Sequence, residues 1–149
     1  MALLTSERST AWYLGLAGLL PFIGGSALVW FGPIAWQVTA IYGFIYYSAV
    51  ILSFLGGVHW GSALQVSRAG NIRRLLLAMV PSLIAWPALL FNVHTGLWVL
   101  LLGFLLIGGY DLSREGREGF PSWYFKLRGL LTLVVVLLHI VVLFRLSGL

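Results

Sequence analysis

Cysteine is absent from the chain, and charged residues make up only 9% of it. The first absence excludes disulfide bonds, thiolate metal ligands and cysteine nucleophiles. The second excludes an ordinary soluble domain, in which about 25% of residues are charged. Only four of the 149 residues are acidic, and the net charge is +5. The basic residues lie between apolar runs, so they indicate membrane topology, and no nucleic-acid partner is expected.

Catalytic signatures are also missing. The sequence contains no Gly-x-Ser-x-Gly, His-Glu-x-x-His or Walker-type loop, and no nucleophile, base and orienting group line up along it. The segment Asn92–His94 is too sparse for a metal centre, because a closed site needs about four ligands. We therefore assign no catalytic residue and no metal ligand, and an enzyme acting on lipids is the least favoured function.

Hydrophobic residues make up 60% of the chain and form long uninterrupted runs. A bilayer is crossed by about 20 apolar residues, and the backbone polar groups of such a segment must be satisfied within a helix. The sequence therefore predicts an all-α polytopic membrane protein, a compact single-domain bundle of five transmembrane helices. The predicted spans are residues 12–31, 38–64, 75–91, 96–110 and 129–144.

The charges between the predicted spans are strongly asymmetric. One side carries every lysine and arginine except Arg145, whereas both loops of the other side are short and uncharged. By the positive-inside rule, the N-terminus is expected in the cytoplasm and the C-terminus outside it. The N-terminal residues lack a basic segment and a clear cleavage site, so the first run is interpreted as a retained span.

One ionisable residue, His59, lies inside the uncharged second run. An intramembrane ionisable residue is by default a functional-site hypothesis, although a structural hydrogen bond is an equally good explanation. On the nearly opposite helix face, Ser53, Gly57 and Gly61 form a small-xxx-small stripe that favours close helix packing. We therefore expect this helix to be central. The residues within about 60° of His59 on a helical wheel are Ser48, Leu52, Leu55, Gly56, Ser62 and Ala63.

A second histidine, His139, lies in the fifth run at a depth similar to that of His59, counting a rise of about 1.5 Å per residue. Two imidazoles at one depth could ligate a haem or hydrogen-bond a quinone. Trp60 and Trp86 lie deeper than the other tryptophans of this tryptophan-rich chain, which fit the aromatic belts at span ends. The predicted ligand-binding residues are His59, Trp60, Gly56, Trp86 and His139.

Asp111 ends the fourth predicted span, and an interfacial ion pair with Arg128 or Arg114 is expected there. We favour the pair of Asp111 with Arg128. A proton-relay role for Asp111 is the alternative, since a carboxyl group with a raised pKa could carry a proton.

Two longer segments connect the chain with a known family. Phe54–Gly61 and Pro121–Thr132 resemble the bacterial and mitochondrial membrane proteins grouped as domain of unknown function 3429, a family similar to transmembrane protein 69. The resemblance spans most of the chain. It implies a small multi-pass protein of the bacterial inner membrane, and it brings no activity and no catalytic residue.

Three functions remain open from the sequence. The leading hypothesis is a non-enzymatic module that binds a small hydrophobic molecule such as quinone, haem or lipid. The second is a structural or assembly partner in a larger membrane complex or a homo-oligomer. The third is a proton-linked transporter using His59 and Asp111, against which the lack of sequence repeats and paired broken helices counts.

Overall fold

The computed structural model describes residues 2–65 and 71–148 of the chain. Within those residues it contains helices and no strand, which confirms the predicted all-α membrane class. In chain order the helices are α1 (Ala2–Ala17), α2 (Leu20–Phe31), α3 (Ile34–Gln65), α4 (Asn71–Ala88), α5 (Val93–Leu112), α6 (Arg114–Arg117) and α7 (Ser122–Ser147).

Four segments of the described chain are long and apolar enough to cross a membrane: Ser6–Phe31, α3, α5 and α7. Helix α4, which corresponds to the predicted span 75–91, is not among them. Its first turn carries Arg73 and Arg74, and it contains Pro81 and Pro87, all of which lower its mean hydropathy. The count of five spans therefore stays a prediction.

The boundaries of the spans differ from those predicted. The first span is interrupted, because α1 ends at Ala17 and α2 begins at Leu20. Pro21 fits the first turn of α2, where its missing N–H is not needed. The Gly18 carbonyl at this break accepts a hydrogen bond from the Tyr47 hydroxyl at 2.9 Å. Such a side-chain partner satisfies a carbonyl group that a helix end would otherwise leave orphaned.

The later helices are longer than their predicted spans. Helix α5 begins at Val93 and not at residue 96, because the Asn92 side chain caps it by accepting a hydrogen bond from the Thr95 N–H at 2.9 Å. Helix α7 begins at Ser122 and not at residue 129, directly after Pro121. Polar and aromatic residues in its first two turns hid this start from a hydropathy-based prediction.

Helix α3 is the centre of the bundle and contacts α2, α4 and α5. The face that carries His59 is buried, as predicted: all six residues expected to share it are buried. Gly56 makes the close helix approach, since a Cβ there would lie 2.5 Å from the Ala78 carbonyl oxygen of α4. At Gly57 and Gly61, the predicted packing stripe has no other described helix packed against it. Nothing described lies within 4 Å of a Cβ built at Gly57 or Gly61.

Gly56 at the close contact and Gly24 at an open position of α2 provide a matched test of this packing. Gly56→Ala is expected to lower the free energy of unfolding by about 1–3 kcal/mol, the usual cost of overpacking. Gly24→Ala on the exposed side of α2 is the control and should stabilise by up to about 1 kcal/mol, because a Cβ there meets no described atom within 4 Å and alanine favours the helix. Denaturant titration in detergent micelles measures both. Equal effects of the two variants would contradict the α3–α4 contact.

Candidate functional site

Four ionisable side chains are buried together at one end of the bundle, where α3 and α5 end and α4 and α7 begin. They are His59, Arg74, Asp111 and Arg128, and each is at most 6% exposed. We call this the charged end of the bundle. Buried charges are costly in an apolar environment unless they are paired, so their partners decide whether this end is stable.

The Asp111 carboxylate is the hub of the charged end. Its Oδ1 lies 2.7 Å from Nε2 of His59 on α3. Its Oδ2 accepts from Nη2 of Arg128 at 2.6 Å and from Nε at 3.1 Å, both on α7. Because an ionised carboxylate can only accept, His59 Nε2 carries the proton in this contact. One side chain of α5 therefore joins three helices.

A second polar group lies beside the first and involves Arg74. Its Nη2 donates to the Glu118 carbonyl at 3.0 Å and contacts the Ser62 hydroxyl at 3.4 Å. The Ser62 hydroxyl donates to the same Glu118 carbonyl at 3.1 Å. These contacts attach the segment between α6 and α7 to α3 and α4. Arg74 was not predicted as a site residue, because its charge was interpreted as a topology signal.

Aromatic rings close the charged end around His59. The Tyr110 and Phe120 rings meet the imidazole edge to face, with centroids 5.0 Å and 5.6 Å away. Tyr124 stacks on Phe120 at 4.8 Å. These rings pack around the imidazole, which is only 5% exposed, and a low local dielectric strengthens its hydrogen bond to Asp111.

The structure separates most of the predicted ligand-binding residues. His59 contacts Asp111, which belongs to the predicted ion pair with Arg128, but Trp60 and Trp86 are 39% and 67% exposed. Their orientation follows from the buried faces of α3 and α4, which turn both indoles away from the bundle. Gly56 lies in the tight α3–α4 contact.

His139 lies elsewhere in the bundle, fully buried among Phe22, Phe44 and Phe104. His59 instead contacts Asp111, Tyr110 and Phe120, so the two imidazoles have different neighbours. In the described part of the chain, no three histidine or carboxylate side chains cluster as metal ligands would.

A groove of about 400 Å³ runs between α5 and α7, with Asp111 and Arg128 at its polar end. It exists because both helices carry glycines there, and a Cβ at Gly109 or Gly129 would meet nothing within 4 Å. This groove was not predicted from the sequence, although the glycines of the two spans were a usable signal. The remaining lining residues are Leu105, Gly108, Leu112, Phe125, Thr132, Leu133 and Val136.

Arg128 is positioned to serve both the ion pair and the groove. It also lines a smaller apolar cavity of about 140 Å³ on the other side of α7, beside Phe22 and Phe104. Its Nε and Nη2 are bonded to Asp111, whereas its Nη1 donates to no group in the described residues. The site can therefore offer two N–H donors from Nη1 and an acceptor from the carboxylate to a bound molecule.

Comparison with known proteins gives a consistent result. The family model described as "Protein of unknown function (DUF3429)" matches residues 7–144. Transmembrane protein 69 of Xenopus tropicalis is 38% identical over 136 residues, which cover 85% of this chain and 50% of that protein. Transmembrane protein 69 of Mus musculus is 32% identical over 148 residues, which cover 94% of this chain and 58% of that protein. The chain thus spans about half the length of these relatives, and no solved structure matches it.

Removal of the hub charge tests the site energetically. Asp111→Asn is expected to lower the free energy of unfolding by about 3–5 kcal/mol, because it leaves Arg128 buried and unpaired. The control is Glu115→Gln at the exposed Arg73–Glu115 pair (3.8 Å), which should change stability by less than about 1 kcal/mol. Chemical denaturation in micelles measures both. The account is contradicted if Asp111→Asn is as mild as Glu115→Gln.

Proposed function

Because the chain belongs to the DUF3429 family of membrane proteins, whose description gives no activity, we propose a function from the geometry of the site. The protein binds a neutral amphipathic molecule in the groove between α5 and α7, with the ligand's carbonyl or hydroxyl end at Asp111 and Arg128. The observation that carries this proposal is a mostly apolar groove that terminates at a buried, paired charge.

The polar end of the groove favours a neutral ligand over an anion. Arg128 is neutralised by the Asp111 carboxylate 2.6 Å away. An anionic head group at Arg128 would also meet that carboxylate, and two like charges about 4 Å apart repel by about 4 kcal/mol at an effective dielectric of 20. A carbonyl oxygen can instead accept from Arg128 Nη1, and a hydroxyl can donate to Asp111. Quinones, quinols and lipid esters share this chemistry.

The walls of the groove suit an apolar ring or chain. Its volume of about 400 Å³ lies within the range of small-molecule sites, about 300–1,000 Å³. Leu112 and Leu133 are more than half exposed, so the groove lies on the outer surface of the bundle. A ligand tail can therefore continue from the groove into the bilayer, which supports entry of the ligand from the lipid phase.

The charge distribution supports an orientation for the site. Arg73, Arg114, Arg117 and Lys126 surround the charged end and are exposed. We therefore propose that the charged end faces the cytoplasm, that the N-terminus is cytoplasmic, and that the protein resides in a bacterial inner membrane. The polar end of the groove would then lie near the cytoplasmic surface of the bilayer.

Photocrosslinking in lipid nanodiscs tests the proposed site. An alkyl benzoquinone and a neutral phosphatidylcholine, each carrying a diazirine on its apolar chain, are the two probes. Labelling is expected within residues 105–112 and 125–136. Gly129→Leu should abolish it, because the added side chain occupies the groove from a position where a Cβ meets no described atom within 4 Å. Gly24→Leu is the matched control, since that exposed glycine of α2 is equally unhindered.

The outcomes of this experiment separate the two ligand sources. If excess unlabelled quinone suppresses labelling by the quinone probe and excess lipid does not, the groove is a quinone site. The reverse pattern identifies a lipid site. Labelling that Gly129→Leu leaves unchanged, or that spreads evenly over exposed helices, would refute ligand binding in the groove.

A structural role in a membrane assembly is the second candidate, and the outward stripe of Ser53, Gly57 and Gly61 favours it. Small residues at this spacing let two membrane helices approach closely, and a two-fold interface brings the same patch of each copy together. We therefore propose that this face packs against a second copy of the chain. The same stripe was predicted from the sequence to pack, and a Cβ at Gly57 or Gly61 meets no described atom within 4 Å in the single chain.

The absence of cysteine makes the second candidate easy to test. Ser53→Cys is expected to form a disulfide-linked dimer under mild oxidation in native membranes, whereas Gly24→Cys on α2 is expected to stay monomeric. Non-reducing electrophoresis measures both. A monomeric Ser53→Cys variant, or equal cross-linking of the two, would contradict a dimer through this face.

A further inference from the structure

One nitrogen of the His139 imidazole has a hydrogen-bond partner, and the other has none among the described residues. The side chain is fully buried near the middle of α7. Its Nδ1 lies 2.8 Å from the Val135 carbonyl oxygen. A carbonyl can only accept, so Nδ1 carries the proton, and Nε2 of the neutral ring is an acceptor. This Nε2 is buried and has no hydrogen-bond partner among the described residues.

The three phenyl rings that contact His139 carry no group that could donate a hydrogen bond to Nε2. Phe44, Phe104 and Phe22 enclose the imidazole, with ring centroids at 4.8, 5.3 and 6.0 Å. A buried acceptor without a partner loses the hydrogen bonds that it made to water in the unfolded chain. Buried polar atoms of this kind are the ones that ordered internal water satisfies in folded proteins.

A second unsatisfied polar atom, Ser26 Oγ, lies on the face of α2 that turns toward the same core. Ser26 is 5% exposed, and its hydroxyl oxygen is buried without a partner. The register of α2 against α7 places it at the height of His139. Phe22, one turn before Ser26, contacts the His139 ring. Trp30, one turn after Ser26, donates to the Val141 carbonyl at 3.2 Å.

We propose that His139 Nε2 and Ser26 Oγ together hold one internal water molecule between α2 and α7. The water donates one hydrogen bond to Nε2 and shares a second with the serine hydroxyl, which can donate or accept. Two polar partners are enough to hold a buried water. The three phenyl rings supply no hydrogen-bond donor, so a water molecule is the donor that we assign to Nε2. This site lies apart from the groove between α5 and α7 and does not depend on the proposed function.

Solid-state NMR of the protein in nanodiscs, with ¹⁵N-labelled histidine, tests the proposal. The His139 signals are assigned through the backbone of α7. Nε2 is expected to be unprotonated and hydrogen-bonded, and to receive magnetisation from water protons. Ser26→Ala should weaken this transfer and move the Nε2 resonance toward that of a free imidazole nitrogen.

Ser48→Ala is the matched control for the serine substitution. Ser48 is as buried as Ser26, but its hydroxyl donates to the Phe44 carbonyl at 2.7 Å, so its removal takes no partner from His139. The Nε2 signal should not change in this variant. Three results would overturn the proposal: an Nε2 without water contact, a direct bond from the Ser26 hydroxyl to Nε2, or water transfer that Ser26→Ala leaves intact.

Discussion

A carboxylate buried at the end of a membrane helix bundle must find cationic or N–H partners, and the arrangement of the charged end follows from that constraint. Asp111 is supplied by α5, and its partners come from α3 and α7, so three helices are fixed relative to one another by one side chain. A desolvated charge that loses its partner costs several kcal/mol, about 3–5 in measured cases. That is a large part of the stability of a small domain, about 5–15 kcal/mol.

The same pairing shapes the groove. Arg128 points toward Asp111 with two of its nitrogens and leaves Nη1 for another partner. The glycines around it, Gly109 and Gly129, keep the neighbouring surface of α5 and α7 free of side chains. An ion pair that served only to hold helices together would not need an open groove beside it, because leucine side chains could cover it equally well. The combination of a neutralised arginine with an open apolar groove is what favours a binding role over a purely structural one.

The sequence predicted the membrane class and the buried face of α3, because both depend on local patterns. Hydropathy identifies long apolar helices, and the helical wheel around His59 selects residues that the structure buries together. The ion pair of Asp111 with Arg128 could be predicted for the same reason, since these residues lie 17 positions apart at one predicted interface. The contact of His59 with this pair could not be predicted, because His59 is 52 positions from Asp111.

Other features depend on which helices are neighbours, and a single sequence does not state that. The wheel showed two specialised faces on α3 but not that α4 would cover the Gly56 face and leave Gly57 and Gly61 outside. It also could not show that Trp60 and Trp86 would turn outward. Arg74 resembled its neighbour Arg73 in sequence, yet one is buried and the other exposed.

The most direct test of the central claim is a measurement of the Asp111–Arg128 contact in a lipid bilayer. A solid-state NMR dipolar experiment can detect the coupling between the Asp111 side-chain carboxyl carbon and the Arg128 guanidinium nitrogens. The account predicts strong coupling for an ionised carboxylate, since the closest nitrogen and oxygen are 2.6 Å apart. An absent coupling, with an Arg128 side chain that exchanges freely with water, would contradict it.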